Sequence, residues 1–405
     1  MFSHSYLELN LNIFILFGLL LVAGVIGGDL ARRSKRVPRI LGYMLMGFIV
    51  GPHVLGWIGG DSIKEVQIFI DLALALILYQ IGAYLNLREI IGDWHLLASS
   101  FLESLLTFGV VSIGLHLYGV SVLMSFLFGA IAISSSPAVI LATIKEYGVK
   151  GVFTKRILNL VALNNLFSFL FFMLMIPFVH YHQDQPLWKV ISFTPVMLFG
   201  SFALGWVLAM LKAMLNAKVT DSRHNHIGIL LGFVALGLGL AQMLHLSHLL
   251  TMLTVGLFSF NNPKHHPDKI TPLDEPGDVS ELSIMILFVI AGAKLELENF
   301  SALLGFTLLF VFLRGLSKIA GLYIVRPDKA INAKDTFLLG LSLTPMAGLA
   351  MGLSLMLNNL YPELMSAYVP YVFAVVAVLE IIGPIATEYS LRKSGDMAAG
   401  QSLHH

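Results

Sequence analysis

Runs of about 20 mostly apolar residues recur along this chain from near its start to near its end, and no water-soluble fold accommodates them. Thirteen can be delimited: about 11–30, 37–57, 68–86, 95–117, 121–144, 156–180, 187–212, 226–243, 246–260, 281–297, 301–325, 335–357 and 366–390. A bilayer core near 30 Å is crossed by a helix of roughly 20 residues. In lipid only helices and closed barrels satisfy all their backbone groups internally. The expected fold is therefore an all-α membrane protein of about thirteen transmembrane helices. Composition agrees, since 57% of the residues are apolar and 12% charged, with mean hydropathy +0.83, against roughly half and a quarter in soluble domains. The opening MFSHSYLELN has no Lys or Arg, which makes it a poor signal-peptide n-region and the first run a retained helix.

Charge placement sets the topology. Lys and Arg accumulate in cytoplasmic loops, and twenty of the 25 basic residues fall in odd-numbered loops and the tail, against Lys64, Lys189 and Lys294 in even-numbered ones. An outside N-terminus and a cytoplasmic C-terminus follow. The remaining two, Arg314 and Lys318, lie inside the eleventh run. Charges there cost a few kcal/mol or more and face a bundle interior, a water cavity or a partner, unless they snorkel to the edge. The balance of 25 basic and 24 acidic residues points to no nucleic-acid partner, and the absence of cysteine excludes disulfides and thiolate metal sites.

The chain carries weak self-similarity at an offset near 210 residues. Gly82-Ala83-Tyr84-Leu85-Asn86-Leu87 matches Gly292-Ala293-Lys294-Leu295-Glu296-Leu297, and Ser134-Ser135-Ser136-Pro137 with Leu141-Ala142 matches Ser342-Leu343-Thr344-Pro345 with Leu349-Ala350. Each half would hold six helices, 11–180 and 226–390, with 187–212 as linker and 394–405 as tail. A displacement of seven spans inverts the second half, as in many transporters. Proline within a span breaks the helix, and nearby hydroxyls either satisfy the freed backbone or face an ion. Breaks are thus expected near Ser136-Pro137 and Thr344-Pro345, crossing near mid-membrane, with an ordinary proline kink as the alternative.

The segment RVPRILGYMLMGFIVGP, 36–52, resembles the opening of cation:proton antiporters of the second superfamily, the group that includes the glutathione-gated potassium efflux systems. Further landmarks agree in order along the chain: Asp71 ahead of ILYQIG, SSSPAVILATIKEYG at 134–148, VALNNLF at 161–167, the Gly-Ala-Lys stretch at 292–294, RGLSKIAG at 314–321, and Glu380 ahead of Gly383-Pro384. The resemblance implies a sodium/hydrogen exchanger fold in a bacterial inner membrane. It also implies a core domain with two crossed, interrupted helices moving against a panel domain that carries a homodimer contact. In the family an Asp-Asp or Asn-Asp pair in the sixth span binds cation and protons in turn; here Asn164 and Asn165 stand at that pair. Lys318 matches the family lysine that partners the first Asp in electrogenic members.

No Asp or Glu occurs between Glu146 and Asp184, so no register slip restores the missing acid. Asparagine does not titrate, although Asn164 and Asn165 can coordinate a cation, bond broken backbone, or act as polar glue between helices. A replacement acid can be sought by depth. Asn164 lies eight residues past Arg156, Lys318 eight before Arg326, Pro137 eight before Lys145 and Glu103 eight past His95, so all four sit about 12 Å in at ~1.5 Å per residue. Glu103 is the carboxylate level with the site, and pairing with Lys318 or Arg314 is expected, either for transport or as a structural ion pair.

The functional expectation is a non-enzymatic secondary transporter exchanging Na⁺ or K⁺ for H⁺, without cofactor, around Asn164, Asn165, Lys318, Arg314, Glu103, Ser134, Ser135, Ser136, Pro137, Thr344 and Pro345. The alternatives are a transport-inactive homologue serving as membrane sensor or partner, and a carboxylate-to-asparagine variant of an active antiporter. His180 with His182, His224 with His226, and His265 with His266 lack the companion ligands of a zinc site. No phosphate-binding Walker sequence supports ATP-driven transport. The Pro-rich stretch 261–278 reads as a cytoplasmic connector, and no nucleotide-binding regulatory domain is expected after Lys393.

Overall fold

A computed structural model describes residues 12–34, 39–52, 54–57, 67–85, 87–147, 149, 151–181, 187–220, 222–261, 277–293, 300–326, 332–346 and 348–394. The described residues form seventeen helices and no strands. Eleven helices each match one apolar run: α1 (Ile13–Ser34), α2 (Arg39–Val50), α3 (Gln67–Tyr84), α5 (Trp94–Leu117), α8 (Val152–Tyr181), α9 (Leu187–Asn216), α10 (Arg223–Met243), α11 (His248–Asn261), α12 (Gly277–Ala293), α13 (Phe300–Ile324) and α17 (Val369–Lys393). The fifth and twelfth runs are each split in two, α6 (Val122–Ile133) with α7 (Pro137–Tyr147), and α14 (Ala333–Ser342) with α15 (Gly348–Leu360). Short α4 (Leu87–Gly92) and α16 (Pro362–Met365) complete the set. Seven of these helices are long and apolar enough to cross a membrane by length and composition. Large apolar side chains such as Leu117, Phe199, Phe312 and Ile385 face outward, as lipid contact requires.

Helix ends are marked by polar caps. Asp93 accepts from the Leu96 amide at 3.0 Å, Ser222 from Asn225 at 3.2 Å and Asn332 from Asp335 at 2.8 Å, each satisfying an orphan N–H of a first turn. Asp93 also pairs with Arg156, tying the start of α5 to α8. The tenth run begins four residues earlier than its hydropathy suggests, because α12 continues through the polar Gly277-Asp278-Val279-Ser280. Lys294, the rest of its repeat match and most of the Pro-rich connector lie outside the described residues.

Packing pairs follow a pattern. α3 lies along α11 and α2 along α12; α5 packs on α6 and α13 on α14; α6 on α8 and α14 on α17; α1 on α2 and α10 on α11; α1 on α12 and α10 on α3; and α5 lies along α13. Exchanging each span with the one seven later converts each of these contacts into another of the same set, and the α5–α13 contact into itself. Gly82 and Gly292, matched in the sequence, occupy equivalent crossings: a Cβ on either would strike the carbonyl of Leu253 or Met44.

Candidate functional site

Both interruptions occur where Ser/Thr-Pro stands, and they meet. The Ser136 amide donates to Pro345 O at 2.8 Å, and Ser135 Oγ donates to Leu343 O at 3.0 Å. The breaks differ in build. Pro137 opens α7 at a position where its missing N–H costs nothing, whereas Pro345 sits inside the second break and α15 starts only at Gly348. Ser134 Oγ turns back to Ile131 O, Thr344 Oγ1 to Leu341 O, and Ser136 Oγ accepts from the Val139 amide. These hydroxyls satisfy freed backbone groups.

Two helix C-termini, those of α6 and α14, thus face one another with orphan carbonyls and a partial negative charge each. Arg314 on α13 resolves this. Its Nε donates to Ala132 O at 2.9 Å, Nη1 to Thr344 O at 2.7 Å, and Nη2 to Ser134 O at 2.6 Å and Leu343 O at 3.1 Å. One fully buried guanidinium therefore clamps both broken helices. A planar fork with five donors suits this task and a point-charge ammonium does not.

One turn further along α13, Lys318 Nζ donates to Ile133 O and to Glu103 Oε1, both at 2.8 Å. Neither side chain is exposed by more than 1%, so the lysine does not snorkel. Close approach of α5 and α13 makes the pair possible: a Cβ on Gly321 would lie 2.5 Å from Glu103 Cα. Thr107 Oγ1 donates to the same Glu103 oxygen at 3.1 Å, and Ser317 Oγ donates to Thr107 Oγ1 at 3.2 Å. Glu103 Oε2, Ser104 Oγ and Asn164 Nδ2 are buried and have no hydrogen-bond partner among the described residues.

The two asparagines divide their work. Asn165 accepts from the Ser135 amide at 3.2 Å and donates to Ser135 O at 2.8 Å, satisfying the first break with both ends of its amide. Asn164 accepts from Ser100 Oγ at 3.0 Å. With Pro137, Asn165 also lines a cavity of about 10 Å³ whose other walls are apolar. The structure brings all eleven sequence-selected residues into this region. Ser100, Thr107 and Ser317 were not singled out, although Ser99, Ser100, Ser104 and Thr107 form a polar stripe around Glu103 at helical spacing that was open to view. Among the described residues no group of three or more His, Cys, Asp or Glu side chains could hold a metal ion.

The charge sum is informative. Arg314 and Lys318 bring two positive charges and Glu103 one negative, while the two helix C-termini supply roughly −0.5 each. The N-termini of α7 and α15, which open at the same breaks, add roughly +0.5 each, so the region carries a small net positive charge.

Two solved structures share the fold. The sodium proton antiporter MjNhaP1 from Methanocaldococcus jannaschii at pH 8 superposes with TM-score 0.69 at 20% identity, covering 96% of this chain and 97% of that one. An electron-microscopy structure of the same antiporter gives 0.62 at 18% identity, with 95% of each chain covered. No curated relative matches. The family model described as the sodium/hydrogen exchanger, transmembrane, matches residues 13–392. This multi-pass membrane chain, with its paired broken helices and buried ionic network, belongs to the sodium/hydrogen exchanger family.

Proposed function

We propose that this protein is a secondary transporter exchanging a monovalent cation, Na⁺ or K⁺, for H⁺, with Glu103 as its titratable carboxylate in place of the family aspartate. The observation that carries the reading is the buried Glu103–Lys318 pair, 2.8 Å long, placed against the end of a broken helix. One carboxylate oxygen is held by Lys318 and Thr107, and the other is free to take a proton or a cation. Protonating Glu103 releases Lys318, and a cation arriving at the carboxylate expels the proton. Ser100 and Ser104 lie on the same face of α5 as Glu103, and the Ser104 hydroxyl is an unpartnered neutral oxygen there. The matched packing of the two halves supports an inverted repeat with α9 as linker, hence an elevator-like alternating-access motion. The Lys/Arg bias supports an outside N-terminus and a cytoplasmic C-terminus, and membership of the exchanger family supports an inner-membrane homodimer.

The experiment is flux in proteoliposomes carrying an internal pH dye. Na⁺ is tested first, because the solved relatives are sodium proton antiporters, and K⁺ second. Cation-driven proton movement in the wild type that disappears in Glu103→Gln supports the reading, whereas retained flux in Glu103→Gln sinks it.

A second reading is a transport-inactive homologue acting as sensor or partner. It draws on Arg314, which already occupies the half-helix carbonyls. Absence of Na⁺- and K⁺-driven flux in inserted, folded wild-type protein would favour it. Should Asn165→Asp then create flux, the chain is a carboxylate-to-asparagine variant of an antiporter.

A further inference from the structure

Outside the ionic network, a cavity of about 600 Å³ opens between α5, α6, α8 and α16. Phe108 and Phe126 line it from α5 and α6, their rings stacked with centroids 5.6 Å apart and planes 11° from parallel. Phe171 backs Phe108 at 5.0 Å. Met175 and Phe178 of α8 and Leu364 of α16 complete the apolar walls. The volume falls within the roughly 300–1,000 Å³ of sites that hold small molecules.

The cavity is polar at one end only. Ser121, its single lining hydroxyl, is the N-cap of α6 and makes no side-chain cap bond. Donors of the first turn of α6 therefore stay open beside it. Ser121 lies in the short connection between α5 and α6, at the level where chain leaves the hydrocarbon. Phe126 is five residues further on, about 7.5 Å deeper along α6. Polar groups at the interface followed by apolar walls toward mid-membrane match the polarity of a phospholipid.

Where the cavity opens decides what fills it. Val122, Phe126 and Phe178, which line it, are exposed, as are their neighbours Ile113 and Leu117 on α5 and Leu174 on α8. The mouth is thus continuous with the apolar surface that this membrane chain turns to lipid. Water is a poor occupant, because it needs two to four polar partners and the walls below Ser121 offer no polar side chain.

We propose that this groove is a binding site for one acyl chain of a bilayer phospholipid, whose ester and phosphate oxygens accept from the open donors at the start of α6. The occupant braces the first turns of the helix whose other end carries the carbonyls held by Arg314 and Lys318. The site does not depend on which ion is carried, or on whether any is.

The test uses the full-length protein in detergent with a phosphatidylethanolamine that carries a diazirine midway along one acyl chain. Illumination followed by peptide mass spectrometry should place saturable adducts on Phe108, Phe126, Met175 and Phe178, severalfold above those on the exposed Phe199, Phe312 and Ile385. Met175→Trp, which fills the groove, should remove the groove adducts and leave the others. Adducts spread evenly over the lipid-facing surface overturn the proposal, as do groove adducts unaltered by Met175→Trp. If that variant misfolds, competition with unlabelled phosphatidylethanolamine on the wild type decides: groove adducts must be lost at lower competitor concentration than those at Phe312, and an equal loss overturns the site. The chain has no cysteine, so Phe178→Cys provides a single thiol. Cross-linking of two copies through it would make the groove a protein interface and overturn the lipid assignment.

Discussion

Lys318 Nζ lies 2.8 Å from Glu103 Oε1, joining α13 to α5 across 215 residues of chain in a place that water does not reach. The same ammonium holds Ile133 O at the end of α6, so the ion pair is also a helix cap. Any change of charge on Glu103 is therefore felt at a broken helix.

The first prediction concerns this coupling. Glu103→Gln leaves Lys318 charged and underpaired, which for a buried pair costs about 3–5 kcal/mol. Thermal unfolding in detergent should move to clearly lower temperature, and Glu103→Gln combined with Lys318→Met should recover most of the loss. Equal destabilisation of the single and double variants would mean that the pair contributes little to folding.

Arg314→Lys keeps the charge and loses the fork. An ammonium cannot reach four carbonyls on two helices, and each lost charge-assisted bond costs about 1.5–3 kcal/mol. The variant should unfold earlier and lose flux, with faster hydrogen exchange at residues 131–136 and 342–346. Wild-type exchange protection at both breaks would contradict the clamp.

Asn165→Asp restores an acid at the family position but removes the donor that holds Ser135 O at 2.8 Å. The new carboxylate still accepts from the Ser135 amide. Proteoliposome flux driven by Na⁺ or K⁺ should appear or rise several-fold, with a modest loss of thermal stability of about 1 kcal/mol. Unchanged, already robust flux would show that position 165 is not needed for coupling and leave Glu103 alone in that role.

Gly321→Val tests the helix contact and not the charge. Its Cβ would meet Glu103 Cα at 2.5 Å, forcing α13 away from α5 at a cost of about 1–3 kcal/mol. The expected outcome is a lower unfolding temperature and reduced flux, while Gly315→Ala, where nothing lies within 4 Å of an added Cβ, should behave like the wild type.

What the sequence determined by itself rests on local quantities. Hydropathy over a window of about 20 residues located all thirteen runs, because a helix in lipid must satisfy its own backbone and show apolar side chains around it. Proline amid serine and threonine marked both interruptions, since a missing donor acts on its own helix. The absence of any acid from 147 to 183 was equally plain. Depth counting even brought Glu103 level with Lys318, because rise per residue is the same in every helix. Rotation and crossing of helices are not local, and there the tertiary structure decided. It chose Lys318 as the partner of Glu103 and freed Arg314 to clamp two carbonyl-lined ends. It turned Asn165 toward Ser135 and buried Glu380 beside the second break. A rotation of α13 or α17 by a good fraction of the roughly 100° between successive residues would choose other partners for the same side chains, and the constraint against it comes from backbone contacts at Gly321 and Gly383 that only the packed bundle creates.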